Sequence, residues 1–353
     1  MSAFMSGVGV ILALELRQRV RSISWYILLG VFVALILIVT VLLSFAFYGF
    51  RASDDGGGGI YSTIIYFVLL LGTLVAPALS GNAINGDRDA GTLATTQVTL
   101  ITTWQLILGK FLAAWVTALA FLAAAVPFLV YATIVGQLGI GTILVSILVL
   151  ALELGVVAAV GVGLSGLMTR PLFSIVASYL IVAGLNIGTL IAFGLGGLAV
   201  QTTVTNTSSY GEQYDTNGVA TECSPPVTNE YPAPRFDLFW GALVANPYVI
   251  LADAVPTAYD QYDQPTDLFG FIKFSVRSAQ LTPETDIVFD ECAPGNVSLY
   301  DQRPTARETI ESTTPGWAVG LFLQLVLAGG LLAAARARTA TPAARLSRGS
   351  RIA

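Results

Sequence analysis

Six stretches of this 353-residue chain run apolar almost without interruption, and the polar positions collect in the gaps between them. They are Trp25 to Phe47, Tyr61 to about Ile84, Trp104 to about Val135, Thr142 to about Met168, Leu172 to about Val200, and Trp317 to Ala335. The runs are continuous and not alternating, which predicts helices and excludes the strands of a barrel. Each reaches the roughly 20 residues that a helix needs to cross hydrocarbon. The expected fold class is an all-α polytopic membrane protein with six transmembrane helices.

Ahead of the first run, Val8 to Ser22 ("VGVILALELRQRVRS") is apolar early and then carries Glu15, Arg17, Arg19 and Arg21. That order suits an N-terminal interfacial helix with its arginines toward anionic headgroups. A plain positive flank of the first span accounts for it equally well. No cleavable leader is expected, since the first run is long and no small-residue cleavage site precedes it.

Composition names hydrocarbon as the folding solvent. Apolar residues make up 55% and charged residues 11%, where a soluble domain carries about a quarter charged. The charge is also unevenly shared. With six spans, Arg17, Arg19, Arg21, Arg88, Lys110, Arg170, Arg336, Arg338, Arg345, Arg348 and Arg351 fall on one side. The other side holds Arg51, opposed by Asp54 and Asp55, and the segment 201–313 with 16 acidic and five basic residues. Excess Lys and Arg marks the cytoplasmic face. Both termini are therefore expected in the cytoplasm, in a multi-pass protein of the plasma membrane. The chain divides into 1–200 (interfacial helix, spans 1 to 5 and a cytoplasmic loop at 82–104), a small acidic extracellular domain at 201–313, and 314–353 (span 6 and a basic tail).

Both cysteines, Cys223 and Cys292, lie in 201–313. Disulfides persist outside the cell and are rare in the cytosol, so a bridge is expected, worth roughly 4 kcal/mol in the chain-entropy model. Two unpaired thiols are the alternative. Residues 239–255 ("FWGALVANPYVILADAV") tempt a seventh span, but the run is short and Asn246-Pro247 interrupts it, proline lacking a backbone donor. Two short helices are expected there.

Between the second and third runs stands a compact charged turn, "NAINGDRDAGTLATTQ". It sets Asp87, Arg88 and Asp89 before Gly91, Thr92 and Leu93, and "TTWQLILGK" (Thr102 to Lys110) follows. In these residues the chain resembles the membrane subunits of ABC transporters of the type-2 exporter family. That family carries an acid-Arg-acid-x-Gly-Thr-Leu motif after its second span and a Trp-Gln…Gly-Lys segment shortly afterwards. Upstream "VAPALSGNAI" and the later Asn246-Pro247 also fit. Two positions depart: Leu100 stands where a proline is usual, and Thr103 where a basic residue is common.

The resemblance implies a permease subunit of an ATP-driven exporter. Its loop after span 2 would form a coupling helix seated in a separate ATP-binding subunit, with ATP and Mg held by that partner. A second permease copy or a paralogue would complete a dimer. Asp87 and Asp89 would favour the positive end of a helix dipole, and Arg88 can make a bidentate bond to a partner carboxylate. The bland alternative is that three charges solvate a turn. No G-x-x-x-x-G-K-[ST] phosphate loop occurs and the chain has no histidine, so it is expected not to be an enzyme itself, to bind no metal or cofactor, and to have lipids but no nucleic acid as further partners.

Two polar residues fall inside the runs: Glu153 near the middle of the fourth and Asn186 near the middle of the fifth. A carboxyl at that depth is a pathway group or a hydrogen-bonded packing device. Gly161, Gly163, Gly166 and "GLNIG" (Gly184 to Gly188) nearby predict close helix packing. An ion-coupled secondary transporter is an alternative function, although no inverted repeat of that class is visible. A non-transporting membrane receptor or immunity protein is another.

Overall fold

Apolar continuity becomes helix along almost the whole chain. The structure, a computed structural model, describes residues 3–49, 56–91, 101–214, 220–291 and 304–340. Helix α1 is Ala3–Val20, α2 is Ile23–Gly49, α3 is Gly56–Ser80, and the short α4 is Asn85–Asp89. After the charged turn come α5, Thr103–Gly136, and α6, Ile140–Leu167. The fifth run is α7, Pro171–Ala183, a π-helical turn at Gly184–Gly188, and α8, Thr189–Ala199.

Strands β1 (Gln201–Ser209), β2 (Gly211–Tyr214), β3 (Ala220–Cys223) and β4 (Val227–Pro234) follow, then 3₁₀ turns at Phe236–Leu238 and Trp240–Ala245. The rest is α9 (Pro247–Ala254), α10 (Leu268–Ser278), β5 (Asp286–Asp290), α11 (Ala306–Ser312) and α12 (Trp317–Thr339). Among the described residues six helices are long and apolar enough to cross a membrane: α2, α3, α5, α6, the α7–α8 run and α12. The protein is mostly helical, and among the described residues the strands fall within 201–290.

Local chemistry sets the helix ends. Thr102 and Gln105 form a reciprocal capping box that starts α5, satisfying two donors that a helix start leaves unpaired. Pro171 and Pro247 stand in the first turns of α7 and α9, where a missing N–H costs nothing. With 34 residues and a rise of 1.5 Å each, α5 is roughly 51 Å long. That exceeds the hydrocarbon layer of about 30 Å, so part of it projects beyond.

The bundle is organised around α6, whose residues Glu153 to Gly166 are all buried. Its glycines admit neighbouring helices at close range. A Cβ at Gly163 would stand 2.7 Å from Leu331 Cβ, and one at Gly166 would stand 2.6 Å from Ala335 Cβ, both on α12. Gly161 likewise lies against Ser80 of α3. The other expected glycines behave differently: a Cβ at Gly184 would meet nothing and one at Gly188 only a carbonyl at 4.0 Å. They belong to the π turn and not to a helix contact. By contrast α2 and α7–α8 leave Ile27, Leu42, Phe45, Leu172, Leu180 and Leu195 exposed, as helices facing lipid do.

Residues 201–313, to which the sequence assigns no fold, form a mixed sheet of order β4-β1-β5 beside a β2-β3 hairpin. β1 pairs antiparallel with β4 and parallel with β5. The run 239–255 is divided at Asn246-Pro247 into a 3₁₀ segment and α9, as expected. Several bonds fasten this part to the helix ends. Leu268 N donates to Ser62 Oγ at 3.1 Å, and Tyr66 Oη donates to the Tyr248 carbonyl at 3.1 Å. Asp253 accepts from Gly316 N and Trp317 N at the start of α12 and pairs with Arg277. Cys223 closes β3, while the bridge expected from it falls on Cys292, outside the described residues.

Candidate functional site

The charged turn is short helix on one side and open glycine on the other. A helix start leaves its first N–H groups without partners, and the residue before α4, Ile84, has no side chain to supply an acceptor. A neighbouring helix supplies it: Ser165 Oγ of α6 accepts from Ile84 N at 2.9 Å and from Asn85 N at 3.1 Å. At the other end Gly91 has φ +71°, a left-handed conformation that costs glycine little. Thr92 and Leu93, the last residues of the expected motif, lie outside the described residues.

One cation gathers the surroundings. Lys110 Nζ lies 2.7 Å from Asp87 Oδ2 and 2.5 Å from Glu15 Oε1, and its side chain is only 2% exposed. Those three residues belong to α5, α4 and α1. The rest of "TTWQLILGK" has related work. Gln105 Nε2 donates to the Phe4 carbonyl of α1 at 3.1 Å, and Trp104 lies under the Arg336 guanidinium of α12, 5.4 Å from ring centroid to Cζ. Gly109 lets α1 come close, since a Cβ there would stand 2.7 Å from Ile11. The two motif segments, eight residues apart or more in the chain, thus meet in one joint with α1, α6 and α12.

Arg88 is bonded within the chain. Its guanidinium is turned inward: Nη1 donates to the Met168 carbonyl at 2.9 Å and to Asn85 Oδ1 at 3.0 Å. Met168 is the residue that closes α6, so Arg88 places positive charge on the negative end of that helix. Both of these bonds use Nη1, so Nε and Nη2 keep their N–H donors. Asp87 is half-buried against Lys110, which leaves Asp89, exposed at the end of α4, as the acid presented outward. Close by, Arg19 of α1 reaches Thr117 Oγ1 of α5 at 2.9 Å. Burial pulls this guanidinium below its ordinary pKa, and Glu15 partly restores it.

The joint links α4 to α5 through Lys110 and to α6 through Ser165 and Arg88, and Lys110 in turn holds Glu15 of α1. Rigidity comes from charge-assisted hydrogen bonds within one shell. The sequence marks the Trp-Gln and Gly-Lys residues as a motif without revealing their partners, and it gives no sign of Ser165 or Glu15.

Glu153 and Asn186 lie elsewhere and are not brought together. Glu153 is fully buried in α6, with Gln324 of α12 as its polar neighbour. Asn186 sits in the π turn, and its carbonyl accepts from Asn246 Nδ2 at 2.8 Å. It also lines a cavity of about 560 Å³ together with Thr73, Tyr179, Asn246 and Tyr248 and an otherwise apolar wall. Among the described residues no group of three or more Asp, Glu, His or Cys side chains is placed to hold a metal ion. No protein-family model matches the sequence, and no curated protein matches it.

Proposed function

We propose that this chain is the permease subunit of an ATP-driven exporter of the ABC type, with α4 as the element that docks on a separate ATP-binding subunit. The observation that carries the reading is the pair Asp87–Lys110. It joins two segments, Asp87 to Leu93 and Thr102 to Lys110, that resemble motifs of the type-2 exporters. In this reading the end carrying α4 faces the cytoplasm with both chain termini. Helix α1 lies along the inner surface of the plasma membrane, and residues 201–313 stand outside with a Cys223–Cys292 disulfide. A second copy or paralogue completes the pathway, and ATP and Mg are bound by the partner alone. The lipid-like exteriors of α2 and α7–α8 leave room for such a neighbour.

Affinity purification of the full chain from its native membrane tests the proposal. A subunit with a phosphate-binding loop should copurify, and its ATP hydrolysis should depend on the permease. Asp89→Lys should abolish that dependence and leave the melting temperature of the permease unchanged. A complex that assembles and hydrolyses ATP normally with Lys at 89 would remove α4 as the docking element.

A further inference from the structure

The cavity of about 560 Å³ beside the π turn lies where α3, the α7–α8 run, α9 and α10 meet. Its size and make-up are those of a ligand cleft, a hydrocarbon wall with a few polar groups set into it. No Asp, Glu, Lys or Arg lines it. Leu74, Ile187 and Leu190 belong to the wall and are each more than half exposed. The cavity therefore adjoins the apolar outside of the bundle.

Asn186 is the unusual group in this wall, because its backbone is committed and its side-chain oxygen is not. The carbonyl accepts from Asn246 Nδ2 at 2.8 Å, and the same nitrogen bonds Thr189 Oγ1. The π turn is thus held from outside. Oδ1 of Asn186, by contrast, is buried with no hydrogen-bond partner among the described residues. Leaving such an atom unmet is destabilising, and hydrocarbon holds no water to meet it. Neighbouring donors are spent elsewhere. Tyr179 Oη donates to the Leu74 carbonyl, Thr73 Oγ1 donates to the Leu70 carbonyl, and Asn246 uses both ends of its amide. A π turn in a helix often accompanies a functional site.

The wall decides the class of ligand. A charged molecule would enter a cavity without a counter-ion, which is strongly unfavourable. Water needs two to four polar partners per molecule, and most of this wall is apolar. A pure hydrocarbon would fill the space and leave Asn186 unmet. A neutral lipophile with one hydroxyl or amide satisfies both, since either group donates and accepts. With its oxygen unbonded, the Asn186 amide is free to turn toward that group.

We propose that this cavity is a binding site for a small uncharged lipophilic molecule taken from the membrane. Asn186 reads its single hydroxyl or amide group, and Leu74, Ile187 and Leu190 form the way in. The inference goes beyond the exporter reading and does not rest on it.

Photolabelling of the purified full chain in phosphatidylcholine nanodiscs tests the site. The probe is dodecanol carrying a diazirine on its chain, with labelled residues located by mass spectrometry. Saturable labelling of Leu74, Ile187 or Leu190 is expected, and unlabelled dodecanol should suppress it. Dodecane at equal concentration in the bilayer should compete about fivefold less well, the ratio that one net hydrogen bond sets. Dodecyltrimethylammonium should not compete. Even labelling of every exposed apolar helix face, undiminished by excess dodecanol, overturns the site, and competition by the ammonium overturns the neutral class. Asn186→Leu removes the amide and keeps the carbonyl that Asn246 holds. In that variant dodecanol and dodecane should compete equally, and an unchanged preference removes Asn186 as the reading group. Ala183, exposed on the cavity wall, offers a way to close the space. Ala183→Trp should abolish the saturable labelling, and labelling that persists overturns the location. The wild-type competition decides the proposal by itself if either variant fails to fold. No readout uses ATP or transport, so failure here is distinct from failure of the exporter reading.

Discussion

Lys110 reaches Asp87 at 2.7 Å while lying 2% exposed, so the α4 turn is anchored by a buried cation that also holds Glu15. Removing one member of such a group strands the others. Lys110→Met should destabilise the protein by about 3 kcal/mol, the cost of an uncompensated buried charge, measured by unfolding in detergent. Asp87→Asn should cost less, because Asp87 is 33% exposed and water screens it. Neutralising all three (Glu15→Gln, Asp87→Asn, Lys110→Met) should recover most of the loss. A triple variant as unstable as Lys110→Met alone would show that packing, not charge, holds the joint.

Arg88 and Asp89 are adjacent but face different surroundings. Arg88→Gln removes a charged donor from the Met168 carbonyl and should cost about 2 kcal/mol. Asp89→Lys should leave unfolding unchanged. If Arg88→Gln is silent in unfolding, the inward bonds contribute nothing and Arg88 is free to serve a partner.

The spans were legible because their signal is a sum over twenty side chains, and local errors at the ends do not erase it. The turn at Asn85–Asp89 was legible as a motif, and Gly91 as the residue that permits its exit. What stayed hidden is whatever depends on a partner distant in sequence. Nothing local in "LSGL" identifies Ser165 as the acceptor for the start of α4. The inward turn of Arg88 is hidden for the same reason, since a charge in a turn reads as solvent-facing until its neighbour is known. The π turn at Gly184–Gly188 is not legible, because glycines that bring helices together and glycines in an irregular turn look alike in sequence.

Glycines on α6 give a direct measure of packing. Gly163→Ala sets a methyl group 2.7 Å from Leu331 Cβ and 3.0 Å from a backbone carbonyl carbon. Overpacking of this kind should cost about 1–3 kcal/mol. Gly194→Ala in α8 meets nothing within 4 Å and should be neutral or stabilising by up to about 1 kcal/mol, the helix propensity difference. Equal effects at both sites would contradict the close approach of α6 and α12.

One pH dependence follows from the 3₁₀ turn after β4. Arg235 holds Asp237 through two bonds, Nε to Oδ1 at 2.8 Å and Nη2 to Oδ2 at 2.7 Å, and draws its pKa below the ordinary 3.8. The folded form therefore binds the proton less readily than the unfolded chain. The stabilisation is fully present above the ordinary carboxylate pKa and is lost as pH falls through the folded value. Asp237→Asn should be less stable than wild type at pH 7, and the gap should close as acid protonates the folded carboxyl. A gap that stays constant with pH would assign the effect to shape and not to charge.

Asn246 performs two tasks with one amide, and they can be separated. Its Oδ1 accepts from Tyr248 N at 2.9 Å as the N-cap of α9, while Nδ2 donates to the Asn186 carbonyl and to Thr189 Oγ1, both at 2.8 Å. A π turn departs from the regular α-helical hydrogen-bond ladder, and such turns often mark functional sites; here Asn246 supplies an outside donor to one of its carbonyls. Asn246→Ala loses the cap and that donor together and should cost about 2 kcal/mol. Asn246→Ser restores a capping oxygen and should recover roughly half. Asn246→Asp keeps the cap but sets a carboxylate against the Asn186 carbonyl, so it should be worse than Ser at neutral pH. Acid that protonates the new side chain supplies a donor again, and its stability should then rise toward wild type. Full rescue by Ser at neutral pH would mean that the bonds to the π turn carry no stability, and that Asn246 serves only to start α9.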